Sequence, residues 1–132
     1  MRFLLDTHIL LYWLGDIEKL SGRQTHIIQA ADAGEPLWVS DISLWEIATL
    51  HSLGRIQLRH PLRDWLEAAV APPLVRRIGI SPAVAACVGA LPDSFHRDPG
   101  DRIIVASTQI LGATLLTHDR RIIAANLVST LT

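Results

Sequence analysis

With 132 residues and one cysteine, the chain can bury roughly two-thirds of the surface its unfolded form exposes, but it cannot form an internal disulfide or a cysteine-based zinc site. A net charge of -1 excludes a protein that coats nucleic acid through bulk electrostatics, and no apolar run is long enough to span a membrane. The expectation is one domain over 1–132, soluble and cytoplasmic, with Cys87 a small buried residue in an Ala/Val-rich helix. Charge is spread unevenly. Residues 55–77 carry Arg55, Arg59, Arg63, Arg76 and Arg77 against Asp64 and Glu67, and every basic residue except Lys19 is arginine, the side chain suited to bidentate contact with phosphate or carboxylate.

Arg2-Phe3-Leu4-Leu5 is a short apolar run that stops at Asp6, as expected of a strand buried on both faces. Asp6-Thr7 leads into Ile9–Leu14, which ends at Gly15, so the pattern predicts strand, turn, helix, with Asp6 either a helix cap or a functional carboxylate. Ser21-Gly22 opens a second helix with Ile27, Ile28, Ala30 and Ala31 on its inner side, closed by Gly34 and Pro36, and Leu37–Ser40 reads as the second buried strand. This alternation predicts a parallel sheet with right-handed crossovers.

A helix over Asp41–Ser52 follows, with Ile42, Trp45, Thr49, Leu50 and Leu53 spaced as a core-facing stripe and Glu46 among them. A carboxylate there is costly unless it is paired, hydrogen-bonded or bound to a cation; the alternative is a Glu at the stripe's edge. Gly54 ends this helix, Arg55–His60 form a basic connector, and Pro61 starts a helix through Trp65, Leu66 and Val70 that stops at Pro72-Pro73, together a lid-like hairpin over one sheet edge. Val75–Ile80 is a weaker strand, and Ser81-Pro82 signals a helix over 82–90. Asp93–Arg97 then forms a polar loop leading to Asp98-Pro99-Gly100-Asp101-Arg102 and a helix to Leu111, terminated by Gly112. Asp98 is placed to cap it, with proline at the first helical position and Asp101 at the third. Ala113–Thr117 is a buried strand, Asp119 after it is placed to cap a helix through Ile122 and Ile123, and Leu127–Leu131 is an edge strand.

Asp6 and Asp119 follow strands, Glu46 lies just over a helical turn beyond Ser40, and Asp101 opens a helix. In a parallel α/β sheet the carboxyl ends of strands share one edge, where ligands bind near a switch in strand order. Several carboxylates there repel one another unless a cation neutralises them. An all-oxygen set selects a hard ion, Mg²⁺ or Mn²⁺, over Zn²⁺, and such an ion suits phosphodiester hydrolysis by activated water.

Four stretches in this order, Leu4-Leu5-Asp6-Thr7-His8, Val39–Ala48, His96–Arg102 and Leu115–Asp119, make the chain resemble PIN-domain endoribonucleases of the VapC toxin type over nearly its whole length. The resemblance implies a three-layer α/β/α sandwich around a mainly parallel sheet, and Asp6, Glu46, Asp101 and Asp119 as catalytic, metal-holding residues. It implies Ser40 as a hydroxyl that orients a carboxylate or a water, with Thr7, Thr117 and Asp98 in support. It also implies an RNA substrate, a homodimer, and inhibition by a cognate antitoxin. By their charge, Arg97, Arg102 and some of the Arg55–Arg77 group are the candidates for contact with the RNA backbone. One departure is Gly100, where the family commonly has Phe or another bulky residue; the expected effect is a small loss of rigidity. A receiver domain would need a lysine near the site, and the one lysine is Lys19. An aspartate-nucleophile phosphatase would need an acid two residues after Asp6, where His8 stands. The remaining alternative is a catalytically silent PIN-like module that binds RNA or an antitoxin.

Overall fold

A computed structural model describes residues 1–132. Five short strands form its centre: β1 (Phe3–Leu5), β2 (Leu37–Ser40), β3 (Val75–Ile78), β4 (Thr114–Leu116) and β5 (Ser129–Leu131). They pair in the order β3-β2-β1-β4-β5, and every pairing is parallel. Seven helices connect them: α1 (Thr7–Gly15), α2 (Gly22–Gln29), α3 (Asp41–Ser52), α4 (Leu62–Ala69), α5 (Pro82–Ala90), α6 (Pro99–Leu111) and α7 (Arg120–Ala125).

Successive strand residues point to opposite faces, and both faces are covered. Leu5, Leu37, Val39 and Leu116 enter one core with Ile9, Leu10 and Ile47. Leu4 and Leu115 enter the other with Ile104, Val105 and Ile122. Thus α1 to α4 lie on one side of the sheet and α5 to α7 on the other, the expected three-layer sandwich. The chain moves outward through β1, β2 and β3, then returns to place β4 on the other side of β1. The switch in strand order therefore lies between β1 and β4, where the Asp6 amide donates to the Leu116 carbonyl at 3.0 Å and sets Asp6 level with Thr117.

Several local expectations are corrected. In α3 the buried positions are Ser43 and Ile47, whereas Trp45 and Leu53 are 64% and 59% exposed. Apolar residues run almost all round this helix, so spacing alone does not identify the inward face. Ala30 of the second helix is exposed, and the fully buried residue there is Gln24. The connector and α4 are not a detached lid, since Ile56, Trp65, Leu66 and Ala69 pack on the first core. β3 stops at Ile78 and carries Arg76 and Arg77 on an exposed edge, where Arg77 Nε donates to Asp41 at 2.7 Å. Cys87 is only half-buried. Gly112 ends α6 in the left-handed conformation, with φ of 60°, the role its position predicts. No helix is long and apolar enough to cross a membrane.

Candidate active site

The residue after β1 is Asp6, whose extended backbone caps α1. Its Oδ1 accepts from the Thr7 amide at 2.8 Å, and its Oδ2 accepts from the Thr117 hydroxyl at 2.7 Å. The same hydroxyl accepts from the Asp119 amide at 2.9 Å. Thr117 is thus a bridge between the acids that follow the two central strands. Asp119 Oδ1 accepts from the amides of Arg121 and Ile122 and caps α7. For both Asp6 and Asp119, the cap and the site carboxylate are one and the same group.

Glu46 arrives from α3. Its Oε1 accepts from the Thr7 hydroxyl at 2.6 Å, and that hydroxyl also lies 2.8 Å from Ser43 Oγ. Ser43 precedes Glu46 by three residues and so shares its helix face; that spacing was the available signal for a residue the sequence reading passed over. Asp98 caps α6 as expected, its Oδ1 accepting from the Asp101 amide at 3.0 Å. Asp101 Oδ2 lies 2.6 Å from His96 Nε2 and 3.7 Å from an Arg121 guanidinium nitrogen. Asp6, Glu46, Asp98, Asp101 and Asp119 consequently line one open cavity of about 450 Å³.

His8 was also passed over. Its Nε2 accepts from the His118 amide at 2.9 Å, which leaves the proton of the neutral ring on Nδ1, 3.7 Å from Asp6 Oδ2. Burial first, and His118 second, hold its pKa below the ordinary histidine value.

Two expected site residues stand elsewhere. Ser40 is buried, and its hydroxyl accepts from the Ile42 amide at 3.2 Å as the cap of α3; it meets no carboxylate. Arg102 is 6% exposed, and its guanidinium donates to the carbonyls of Phe95 and His96 at 3.0 and 3.3 Å. Enclosed in this way it holds the loop before α6 and is not available to an RNA phosphate. Arg97 is exposed and 3.7 Å from Asp93.

The electrostatics bear on a cation. Burial pushes Asp6, 3% exposed, up to about 6, with Asp101 and Asp119 adding repulsion. Burial also raises Glu46, with Asp6, Asp101 and Asp98 adding to it, and raises Asp101 against the opposing His96 hydrogen bond. In this arrangement no three Asp, Glu, His or Cys side chains converge closely enough to enclose an ion. Even so, Asp101 Oδ1, Glu46 Oε2 and Asp119 Oδ2 accept no hydrogen bond from the protein, and each carboxylate oxygen has two acceptor positions. An oxygen-only, mutually repelling set with spare lone pairs fits a hard divalent cation.

Gly100 has a reason to be glycine. A Cβ built there would lie 2.8 Å from Glu46 Cδ and 3.3 Å from Asp98 Oδ1. The Glu46 carboxylate therefore occupies the space a side chain at 100 would fill, a role beyond the small loss of rigidity expected. The obstructing atoms end a flexible side chain, so a substitution displaces the carboxylate more than the fold. We predict that Gly100→Ala lowers the activity of this site between about tenfold and a hundredfold, with the melting temperature unchanged or slightly raised. Unaltered kinetics would show that Glu46 tolerates the shift.

Comparison with known proteins agrees with this architecture. The PIN domain family matches residues 3–126. The chain is 41% identical over 119 residues to Ribonuclease VapC22 of Mycobacterium tuberculosis, covering 90% of this chain and 88% of that protein. Its fold is similar to the crystal structure of VapBC2 from Rickettsia felis bound to a promoter DNA fragment, with a TM-score of 0.74, 15% identity and coverage of 99% and 98%. It is similar also to VapBC-1 from nontypeable Haemophilus influenzae, with a TM-score of 0.75, 16% identity and coverage of 99% and 97%. With a family match over nearly its whole length and a ribonuclease relative at this identity, the chain belongs to the PIN domain family.

Proposed function

We propose that this chain is a divalent-metal-dependent endoribonuclease, a toxin that hydrolyses RNA phosphodiester bonds and is held inactive by a cognate antitoxin. The observation that carries the reading is the gathering of Asp6, Glu46, Asp101 and Asp119 on one cavity at the β1/β4 switch point, with three of the four held above the ordinary carboxylate pKa. The 41% identity to a protein named a ribonuclease supports the choice of RNA. A toxin-antitoxin complex from Klebsiella pneumoniae shares its fold, with a TM-score of 0.65 and 20% identity, and supports the antitoxin. A homodimer belongs to the same proposal.

Asp6, Glu46, Asp101 and Asp119 would hold the cation, Mg²⁺ or Mn²⁺. When bound, it supplies an activated water and offsets charge at the phosphodiester. The protein's share is positional. Thr117 fixes Asp6 relative to Asp119, Thr7 fixes Glu46, and Asp98 fixes the turn that carries Asp101. Arg121, close to both Asp101 and Asp119, places a positive charge where a phosphate oxygen would gather negative charge. Arg97, exposed on the loop before α6, is a further phosphate contact in this reading.

The test is cleavage of a mixed RNA pool with cut-site mapping. Cleavage is expected with Mg²⁺ or Mn²⁺ and is expected to stop with chelator. Asp101→Asn should lower it by on the order of 10³-fold, equivalent to about 4 kcal/mol of barrier. A folded Asp101→Asn protein that cuts as fast as wild type would remove Asp101 from this role. A wild-type protein that binds RNA but never cuts it would be the silent module.

A further inference from the structure

Gln24 has no exposure to solvent, although a helix cap alone would leave it at the surface. In the first turn of α2 it closes a capping box, its Oε1 accepting from the Ser21 amide at 3.1 Å and its own amide donating to Ser21 Oγ at 3.1 Å. A buried carboxamide is costly unless its remaining polar positions are used, and here they are. Its Nε2 donates to the Leu131 carbonyl in β5 at 3.0 Å, and its Oε1 lies 2.8 Å from His118 Nε2. With the carboxamide so oriented, His118 is the donor in that bond and carries its proton on Nε2.

His118 stands between Thr117 and Asp119, in the stretch that joins β4 to α7 and belongs to no helix or strand. Each of its three amides nevertheless has a partner. Thr117 donates to the Leu131 carbonyl at 3.3 Å, His118 to His8 Nε2 at 2.9 Å, and Asp119 to the Thr117 hydroxyl at 2.9 Å. The His118 ring packs against those of His8 and Tyr12, with centroids 5.8 and 5.9 Å away. The Leu131 carbonyl thus serves both Thr117 and Gln24, and Gln24 ties the His118 ring to the same point. Neither Gln24 nor His118 lines the carboxylate cavity, so any effect they have on it passes through the stretch they hold.

From this arrangement we infer that Gln24 and His118 are positioning residues, which anchor the 117–119 stretch from behind and so set Asp119, and through the Thr117 hydroxyl Asp6, for cation binding. The consequence for the cation rests on the metal-dependent reading above; the anchoring itself does not. Groups that hold metal-binding side chains in place from outside govern affinity for the ion almost as the ligands do. In α2 the same glutamine both starts a helix and braces the far side of the site, which accounts for its burial.

The experiment pairs amide hydrogen exchange of the metal-free protein with calorimetric titration of Mn²⁺, on wild type, Gln24→Leu, His118→Phe and the double variant. Leucine keeps the bulk of Gln24 without its bonds. Phenylalanine keeps the ring of the half-buried His118 without its donor, and serves even if Gln24→Leu does not fold. In each single variant the amides of 117–119 should exchange about tenfold faster or more, relative to those of Leu115 and Leu116. Mn²⁺ should bind about tenfold to a hundredfold more weakly, and the double variant should be within about twofold of the weaker single one, as for two halves of one contact. Ile28→Ala, a buried apolar change on the same helix, should lower the melting temperature yet leave the exchange ratio and the Mn²⁺ affinity as in wild type. Wild-type exchange ratios in the folded variants, losses that add in the double variant, or an equal loss of affinity in Ile28→Ala would overturn the inference. Accelerated exchange in a protein whose wild type takes up no Mn²⁺ would uphold the anchoring and sink the metal reading. Tight Mn²⁺ binding left intact by both variants would do the reverse.

Discussion

Asp6→Asn is expected to abolish cleavage and, in the same protein without metal, to raise stability at neutral pH. Asp6 is buried, and its folded pKa is raised from 3.8 to about 6. In the unfolded chain the proton leaves near 3.8, but the folded protein keeps it until about 6, so between these values the folded state binds more protons. Stability is therefore fullest below about pH 4 and falls as pH rises toward 6. The shift corresponds to roughly 3 kcal/mol, an upper figure for what an uncharged side chain recovers at pH 7. Asparagine keeps the acceptor for the Thr7 amide and cannot ionise, so the variant's stability should be flatter over this window. Glu46 and Asp101 shift in the same direction, so some slope should remain. A ligand that binds only the folded state stabilises it; Mg²⁺ should therefore raise the wild-type melting temperature more than that of the variant. Thermal unfolding at pH 4 and pH 7, with and without Mg²⁺, checks all of this. A wild type that becomes more stable from pH 4 to pH 6 in chelator would contradict it.

Arg102→Ala should destabilise the protein by about 2–3 kcal/mol, because charge-assisted hydrogen bonds to two carbonyls are lost along with the packing of the arginine stem. The guanidinium carbon also lies 5.8 Å from the Phe95 ring centroid, and Phe95 is itself in the second core. The loop it secures carries His96, the partner of Asp101. Activity should therefore fall together with stability, and the two losses should recover together on cooling. For a chain of this length the melting temperature should drop by roughly 10 °C. If Arg102 instead met RNA, the melting temperature would stay put and only the salt dependence of binding would change.

The fold was legible where its cause was local. The strands are short apolar runs between polar or glycine stops, and being buried on both faces they need no alternation, as Leu4-Leu5 and Leu115-Leu116 illustrate. Caps at Ser81, Asp98 and Asp119 follow from residue type and position. Asp6 and Asp119 were legible because strand ends in a parallel sheet share an edge, whereas Glu46 and Asp101 stand on α3 and α6 and were singled out with the help of the family resemblance. What did not show was direction. Whether Arg102 points inward or outward depends on the loop at 95–96, which no periodicity encodes. Ser40 is a cap at the very place where a site hydroxyl would also stand, and only the orientation of its Oγ separates the two. Trp45 and Leu53 fit a core stripe by spacing, yet they line the carboxylate cavity. The reason for glycine at 100 lies in Glu46, fifty-four positions earlier in the chain, and such a contact is visible only in three dimensions.

In the proposed function, the Asp6, Glu46, Asp101 and Asp119 carboxylates would hold a cation that serves water-driven cleavage of RNA. The most direct measurement is mass spectrometry of the ends of an oligoribonucleotide incubated with the protein in Mg²⁺ and, separately, in chelator. Water as the nucleophile predicts cleavage in Mg²⁺ alone, with products that carry no 2′,3′-cyclic phosphate. Cyclic-phosphate ends, which arise when the RNA's own 2′-hydroxyl attacks, or equal cleavage in chelator, would contradict it.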